Sequence, residues 1–449
     1  MTEQNPPISG KATSIHQISR RKLLKAWGVG SVLGLSTVLS GGLFPGQAFA
    51  AARTDKRLVV IILRGGMDGL AALAPYGDPA YRQTRGDLAL DQDVLLKVDP
   101  FFGLHPALSP LANLYKQGEM IALPASATPY RNRSHFDAQN VLELGSDKPH
   151  ALNSGWLNRL VGAINVLEGN TRKGNTRSKN KAGSPTSPVG ELGLAFGSGL
   201  PLIMRGDHDV NAWSPSAMPD TSDDYMSLVQ RIYGNDPLLS ENLTKALDLQ
   251  ARSEDMTGNE KKMAKQNNSN KSFLNLASLA GRWLGDPDGP RIATLELGGW
   301  DTHARQGTEG GRLANNLDIL ARGIASIKQE MTKSTDGASS WSKTVVVAMT
   351  EFGRTAHPNG NLGTDHGTAG TAFLFGGALK SDGGKGRIIH NWPGLAKAQL
   401  YENRDLNPTT DLRAIMLGLL SDHYGLSQAV LTRDIYPGSQ GLRPFMGLV

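Results

Sequence analysis

Arg57-Leu58-Val59-Val60-Ile61-Ile62-Leu63 runs into Arg64-Gly65-Gly66-Met67-Asp68-Gly69. The apolar residues from Leu58 to Leu63 do not alternate with polar ones, so the run reads as a strand buried on both faces. Such a strand needs helices above and below it. That requirement predicts an α/β fold: a mainly parallel central sheet flanked by helices. The same rhythm continues along the chain. Met120–Pro124, Arg291–Leu297, Thr344–Met349 and Thr371–Phe375 are further strand-like runs, two of them stopped by glycine pairs, Gly298-Gly299 and Gly376-Gly377. Helices are expected from Pro106 to about Gln117, from near Ser134 to about Leu144, and after Ser154 as N-cap. Leu313, Leu317, Leu320, Ile324, Ile327 and Met331 share one face of a long helix. Pro408-Thr409-Thr410-Asp411 starts the last strong helix.

The first fifty residues read differently. Ser19-Arg20-Arg21-Lys22-Leu23-Leu24-Lys25 is a paired-arginine segment, followed by a weakly apolar, Gly-rich run to about Phe44 and the small-residue end Ala48-Phe49-Ala50. This is the layout of a cleavable twin-arginine signal. It predicts passage through the twin-arginine translocase, a periplasmic or secreted location, and no membrane span after cleavage. A transmembrane anchor is the alternative, weakened by the interrupting glycines. Residues 51–449 are then expected to form one domain. Residues 169–190, rich in Gly, Asn, Ser, Lys and Pro, read as a disordered insertion. Residues 251–271 read as a second, polar insertion, either a helical hairpin tip or a loose loop.

Removing residues 1–50 leaves 42 basic and 40 acidic residues, so the overall charge of +6 is largely a property of the leader. With no basic–aromatic stripe, nucleic acid is not an expected partner. The chain has no cysteine, which excludes disulfides, thiolate metal sites and iron–sulfur clusters.

Three strand-like runs end in polar, Gly-rich turns, where α/β proteins gather their sites. The first turn carries Asp68, a ligand or a turn-forming cap. The second, Gly298-Gly299-Trp300-Asp301-Thr302-His303, pairs a carboxylate with an imidazole, as divalent-metal sites do. Its bland reading is a capping Asp and a surface His. The third carries Glu351, then Asp365-His366. A carboxylate directly after a Val-rich strand is costly unless it is paired or metal-bound, and Arg354 is the candidate for simple neutralisation. A fourth segment, Tyr130-Arg131-Asn132-Arg133-Ser134-His135-Phe136-Asp137, places Ser134 at a helix start with two arginines beside it. It reads as an anion site with a nucleophile, or as a plain N-cap completed by Asp137.

The order of RGGMDGL, RNRSHFDAQ, SGWLNR, LGGWDTH, TEFGRT and GTDHGTAG resembles the bacterial domain-of-unknown-function 1501 family, over about Leu58 to Leu426. That family in turn is similar to the alkaline phosphatase-like superfamily. The second resemblance implies two divalent metals (Zn, Mn, Mg or Ca). It places ligands at Asp68, Asp301, His303, Glu351 and His366, and a nucleophile at Ser134, with Thr128 the poorer match. Phe352 falls where the superfamily has a ligand, so His135, Asp365 or water substitutes, or one metal binds. The implied chemistry is in-line attack by a metal-activated Ser134 on a phosphoryl or sulfuryl centre, with Arg131 and Arg133 stabilising the charged oxygens. The expected function is a metal-dependent hydrolase of small anionic esters. The alternative is a non-catalytic exported binding or assembly protein on the same scaffold.

Overall fold

The run from Arg57 to Leu63 is a seven-residue strand, β1, with every residue buried. Alternate side chains explain why. Val59, Ile61 and Leu63 join one apolar cluster, while Leu58, Val60 and Ile62 join another on the opposite face. β1 is the centre of the sheet. The other strands are β2 (Met120–Ala127), β3 (Gly193–Phe196), β4 (Asn211–Trp213), β5 (Ile292–Leu297), β6 (Thr344–Met349), β7 (Gly370–Phe375), β8 (Arg387–Ile388) and β9 (Thr410–Asp411). Their order is β8-β2-β7-β6-β1-β5-β3-β4, with β9 also on β2. β1 pairs in parallel with β5 and β6. Only β7 is reversed, running antiparallel to both β2 and β6. The protein is therefore α/β with a mixed, mostly parallel sheet. This computed structural model describes residues 54–168, 192–214, 223–234, 269–287, 289–333 and 337–449, with 236, 239, 240 and 243 between them. The expected leader at 1–50, the insertion at 169–190 and residues 251–268 of the second insertion lie outside the described residues.

Helices cover both faces. On one lie α1 (Ser109–Lys116), α4 (Ser269–Gly285) and α5 (Arg312–Lys333). On the other lie α3 (Trp156–Leu167) and α6 (Leu412–Tyr424), with α2 (His135–Leu144) along its margin. The predicted apolar face of α5 is buried at every named position. Three boundaries differ from expectation. Pro106–Leu108 is a separate 3₁₀ turn ahead of α1. Gly155, not Ser154, caps α3, because its N–H is bonded to the Arg205 carbonyl while the Ser154 carbonyl accepts from Arg159. Asp411 caps α6 after Thr410–Asp411 has paired as β9. The short strands β3, β4 and β8 carry too few residues to show a period, and sequence reading misses them.

The reversal of β7 decides where function gathers. Chain entering a reversed strand lies at the edge where its neighbours leave. The Gly363–Ala369 segment thus meets the ends of β1, β5 and β6. The opposite edge holds His423, 1% exposed, whose Nε2 donates to the Arg57 carbonyl. Its Nδ1 has no partner among the described residues, and burial lowers its pKa to about 4. Below pH 6.5 the unfolded chain binds a proton that the folded one refuses, so stability falls as pH drops and levels off near pH 4. The difference of about 2.5 units corresponds to about 3 kcal/mol. Urea unfolding between pH 7 and 4 should show a His423→Gln variant losing less stability on acidification than the parent, by about that amount. Parallel pH profiles for the two proteins would refute the assignment.

Candidate functional site

Gly65 and Gly66 make the junction possible. Gly65 has φ +121°, and a Cβ there would lie 2.7 Å from the Asp301 amide nitrogen. Gly66 has φ +71°, and its Cβ would lie 2.8 Å from the Phe352 ring. Only glycine lets the loops after β5 and β6 close on the end of β1.

Three imidazoles meet there. His135 opens α2, His303 follows β5 and His366 precedes β7. His366 Nε2 lies 3.0 Å from the Nε2 of both His135 and His303. Asp301 Oδ1 is 3.0 Å from His303 Nε2 and 3.2 Å from His366 Nε2, and its Oδ2 is 3.6 Å from His135 Nε2. The other nitrogen of each ring is committed elsewhere. His135 Nδ1 meets Glu351 Oε1 at 2.7 Å, His303 Nδ1 meets Asp365 Oδ1 at 2.9 Å, and His366 Nδ1 meets the Arg133 carbonyl at 3.0 Å. Each of these partners accepts, so each Nδ1 carries the proton and each Nε2 turns a lone pair inward. One imidazolium proton satisfies a single such contact. A divalent cation would satisfy three of the groups at once: His135, Asp301 and His366 each offer one ligand atom within 4.8 Å of the others, with His303 beside Asp301 and His366. The pattern of inward Nε2 atoms with outer acceptors on Nδ1 is that of metal-ligating histidines.

The charges agree. Glu351 is fully buried; burial raises its pKa, but His135, its own backbone amide, Gln139 and the Gly65 amide outweigh this and hold it below the ordinary value. Asp301 is likewise pushed up by burial and pulled further down by Arg354, whose Nη1 lies 2.5 Å from Oδ1. Hydrogen bonding by Asn359 and His303 lowers Asp365. The Glu351 bond raises His135, whereas burial and then His135 lower His366. Three carboxylates thus face one guanidinium, a surplus of negative charge. Side-chain exposures of 23% for His135, 27% for His366 and 44% for His303 leave the cluster open to solvent.

Of the expected ligands, Asp301, His303 and His366 come together. Asp365 and Glu351 sit one shell out and orient imidazoles. Arg354 pairs with Asp301 rather than with Glu351. Asp68 lies behind the cluster with its carboxylate fully used: Oδ1 caps a short helix through the Leu70 and Ala71 amides, and Oδ2 takes Arg85 Nη2 at 2.5 Å and Gln306 Nε2 at 2.7 Å. Ser134 is the N-cap of α2 but makes no side-chain cap bond; its hydroxyl contacts Tyr130. Asp137 accepts from Tyr130 rather than closing a capping box. Arg133 is neutralised by Asp405 and Glu402 and is not available to an anion. Arg131 binds the Thr128 and Tyr130 carbonyls, with no carboxylate in ion-pair contact among the described residues. The sequence offers His135 only as one of several substitutes for Phe352; the structure brings its Nε2 to 3.0 Å from that of His366. Its signal was the spacing to Gln139, four residues on, since both reach Glu351 Oε1. Phe352 packs its ring 4.7 Å from that of His135 and 5.1 Å from that of His366. With Asp68 and Glu351 occupied and Phe352 apolar, the donors fit one ion, not two.

A family profile described as "Protein of unknown function (DUF1501)" matches residues 105–435. The chain belongs to this family. A comparison with curated proteins finds no match.

The geometry separates Asp68 from the ligands by experiment. Asp68→Asn leaves the fully buried Arg85 without its charge partner and should destabilise the fold by about 3–5 kcal/mol in urea unfolding. If the cluster holds zinc, the affinity of the folded variant should stay within about twofold of the parent, well short of the loss that follows removal of a ligand's partner. Retained stability with lost metal would restore Asp68 as a ligand.

Proposed function

We propose that this chain is an exported, metal-dependent hydrolase of phosphate or sulfate esters on an alkaline phosphatase-like frame, with Ser134 as nucleophile. The observation that carries the reading is the convergence of His135, Asp301 and His366, one ligand atom each within 4.8 Å of the others, on a solvent-open edge of the sheet. His135, His366 and Asp301 would hold the ion, with His303 beside them. Two imidazoles favour zinc over magnesium or calcium, which prefer oxygen donors. A divalent ion there supplies Lewis acidity, lowering the pKa of a nearby hydroxyl and offsetting charge on the reacting oxygens.

The chain's own residues do the rest. Ser134 stands between Arg133, whose carbonyl holds His366, and His135 itself. It also heads a ten-residue helix whose free amides and dipole favour an anion. Its Oγ forms the bond to phosphorus or sulfur as the ester's alcohol departs with the proton Oγ gave up. Water then displaces Ser134 and restores that proton. Arg131 is the remaining cation for the charged oxygens. A cleft of about 490 Å³ opens beside Gly298 and Gly299, two residues before Asp301, with Phe273 and Leu276 on one wall and Arg312 and Asn315 on another. The paired arginines at 20 and 21 support twin-arginine export to the periplasm. No helix among the described residues is long and apolar enough to cross a membrane.

One observation favours a second reading. The Ser134 hydroxyl contacts Tyr130 and the Arg133 guanidinium is closed off by Asp405 and Glu402, so the nucleophile and one expected cation are both engaged elsewhere. On that reading the protein is an exported binding or assembly component without turnover. Protein purified from the periplasm and loaded with zinc or manganese tests both. About one ion per chain is expected, with hydrolysis of p-nitrophenyl phosphate or sulfate. Ser134→Ala should lower kcat by about 10³-fold or more without loss of metal. Full turnover in Ser134→Ala removes the nucleophile. Absence of turnover, with one ion per chain or with none, overturns the hydrolase and leaves the second reading.

A further inference from the structure

Arg133 has φ +60°, in the left-handed region that a residue with a side chain rarely adopts. Such strain persists only where its surroundings enforce it. Here the enforcement is visible. Arg133 Nε donates to Asp405 Oδ2 at 2.8 Å and Nη2 to Glu402 Oε2 at 2.5 Å, and the guanidinium lies 5.9 Å from the centre of the Tyr401 ring. Asp405 is fully buried. The receiving turn is itself wound tightly, with Glu402 at φ +51° and Asn403 at φ +55°. It is fixed to the loop after β6 by the Thr355–Asp405 bridge and by the Ala356 amide on the Arg404 carbonyl. The product of this left-handed turn is the direction of one carbonyl. Arg133 O points at His366 Nδ1, 3.0 Å away.

We propose that Arg133 is a positioning residue. Its side chain, clamped by the 401–405 turn, holds its backbone left-handed so that its carbonyl fixes the tautomer and ring orientation of His366. The inference rests on the metal-centre reading for its functional consequence, but the clamp itself is independent of any ion. His135 and His303 are oriented by carboxylates, Glu351 and Asp365. His366 alone depends on a main-chain oxygen, and that oxygen faces it only in a backbone conformation that costs free energy. The arginine side chain therefore reaches the cluster indirectly, through the chain rather than through space. The same clamp sets Ser134, the next residue.

A pair of variants separates this role from a general structural one. Arg133→Ala and Arg133→Gly both delete the guanidinium and its two ion pairs. Glycine adopts the left-handed conformation freely, whereas alanine resists it. Zinc affinity, measured by chelator competition, should fall by about 10- to 100-fold in Arg133→Ala. Arg133→Gly should bind about fivefold more tightly than Arg133→Ala. In metal-free protein, nitrogen-15 NMR should show His366 as the Nδ1–H tautomer in the parent, as a mixture in Arg133→Ala, and closer to the parent in Arg133→Gly. Glu402→Gln, at an exposed anchor, keeps the fold testable should the others unfold; it should give a smaller shift in the same direction. Parent-like affinity and tautomer in Arg133→Ala, or glycine performing no better than alanine, overturns the clamp. A parent that binds no zinc yet shows the tautomer shifts sinks the metal reading and leaves the clamp standing.

Discussion

A neutral imidazole has two nitrogens and one proton, and much of this structure follows from where three such protons go. Glu351, Asp365 and the Arg133 carbonyl accept one each, and none of these groups can donate. Three unprotonated nitrogens are thereby turned toward one another at contacts of 3.0 Å, beside a carboxylate. Lone pairs do not attract lone pairs. Positive charge among them would relieve that repulsion, and the surrounding carboxylates favour it there.

The sheet makes the meeting possible. Parallel strands deliver their exits to one edge, which brings the Asp301–His303 loop and Glu351 together. His366 joins them only because β7 runs the other way and presents its entrance there. A helix start, His135, arrives from the β2 side. Four loops far apart in sequence thus share one edge, and Gly65 and Gly66 remove the side chains that would hold them apart. The buried clusters on both faces make that edge rigid, because β1 cannot shift by one residue without exchanging the two sets.

Legibility in the sequence followed the range of the forces involved. The α/β class and the apolar face of α5 were legible because burial on a strand or helix writes a short-range period into the chain. Asp301, His303 and His366 were legible as residue types at strand boundaries. The division of labour among carboxylates was not. Asp68, Glu351 and Asp365 look alike as Asp or Glu in Gly-rich turns. Asp68 differs only because Arg85, seventeen residues on, folds back as a fully buried partner. Glu351 differs because His135, from another strand's loop, takes its oxygen. Arg133 was misread for the same reason: two basic residues beside a helix start suggest an anion site until Glu402 and Asp405 arrive from nearly three hundred residues away. Long-range pairing leaves no local pattern.

Phe352 shows how the pieces constrain one another. It sits directly after Glu351, where a donor would give a second ion a place. Instead its ring lies against His135 and His366 and against the space that Gly66 leaves. Apolar packing there walls off one side of the cluster and presses His135 toward Glu351. A donor at that position would compete for Glu351 and release His135 from it. On the hydrolase reading, the charge that a second ion would bring to Ser134 has to come from the amides at the start of α2 and from Arg131. Arg131, held by two main-chain carbonyls with no acidic partner among the described residues, is the cation left to meet it.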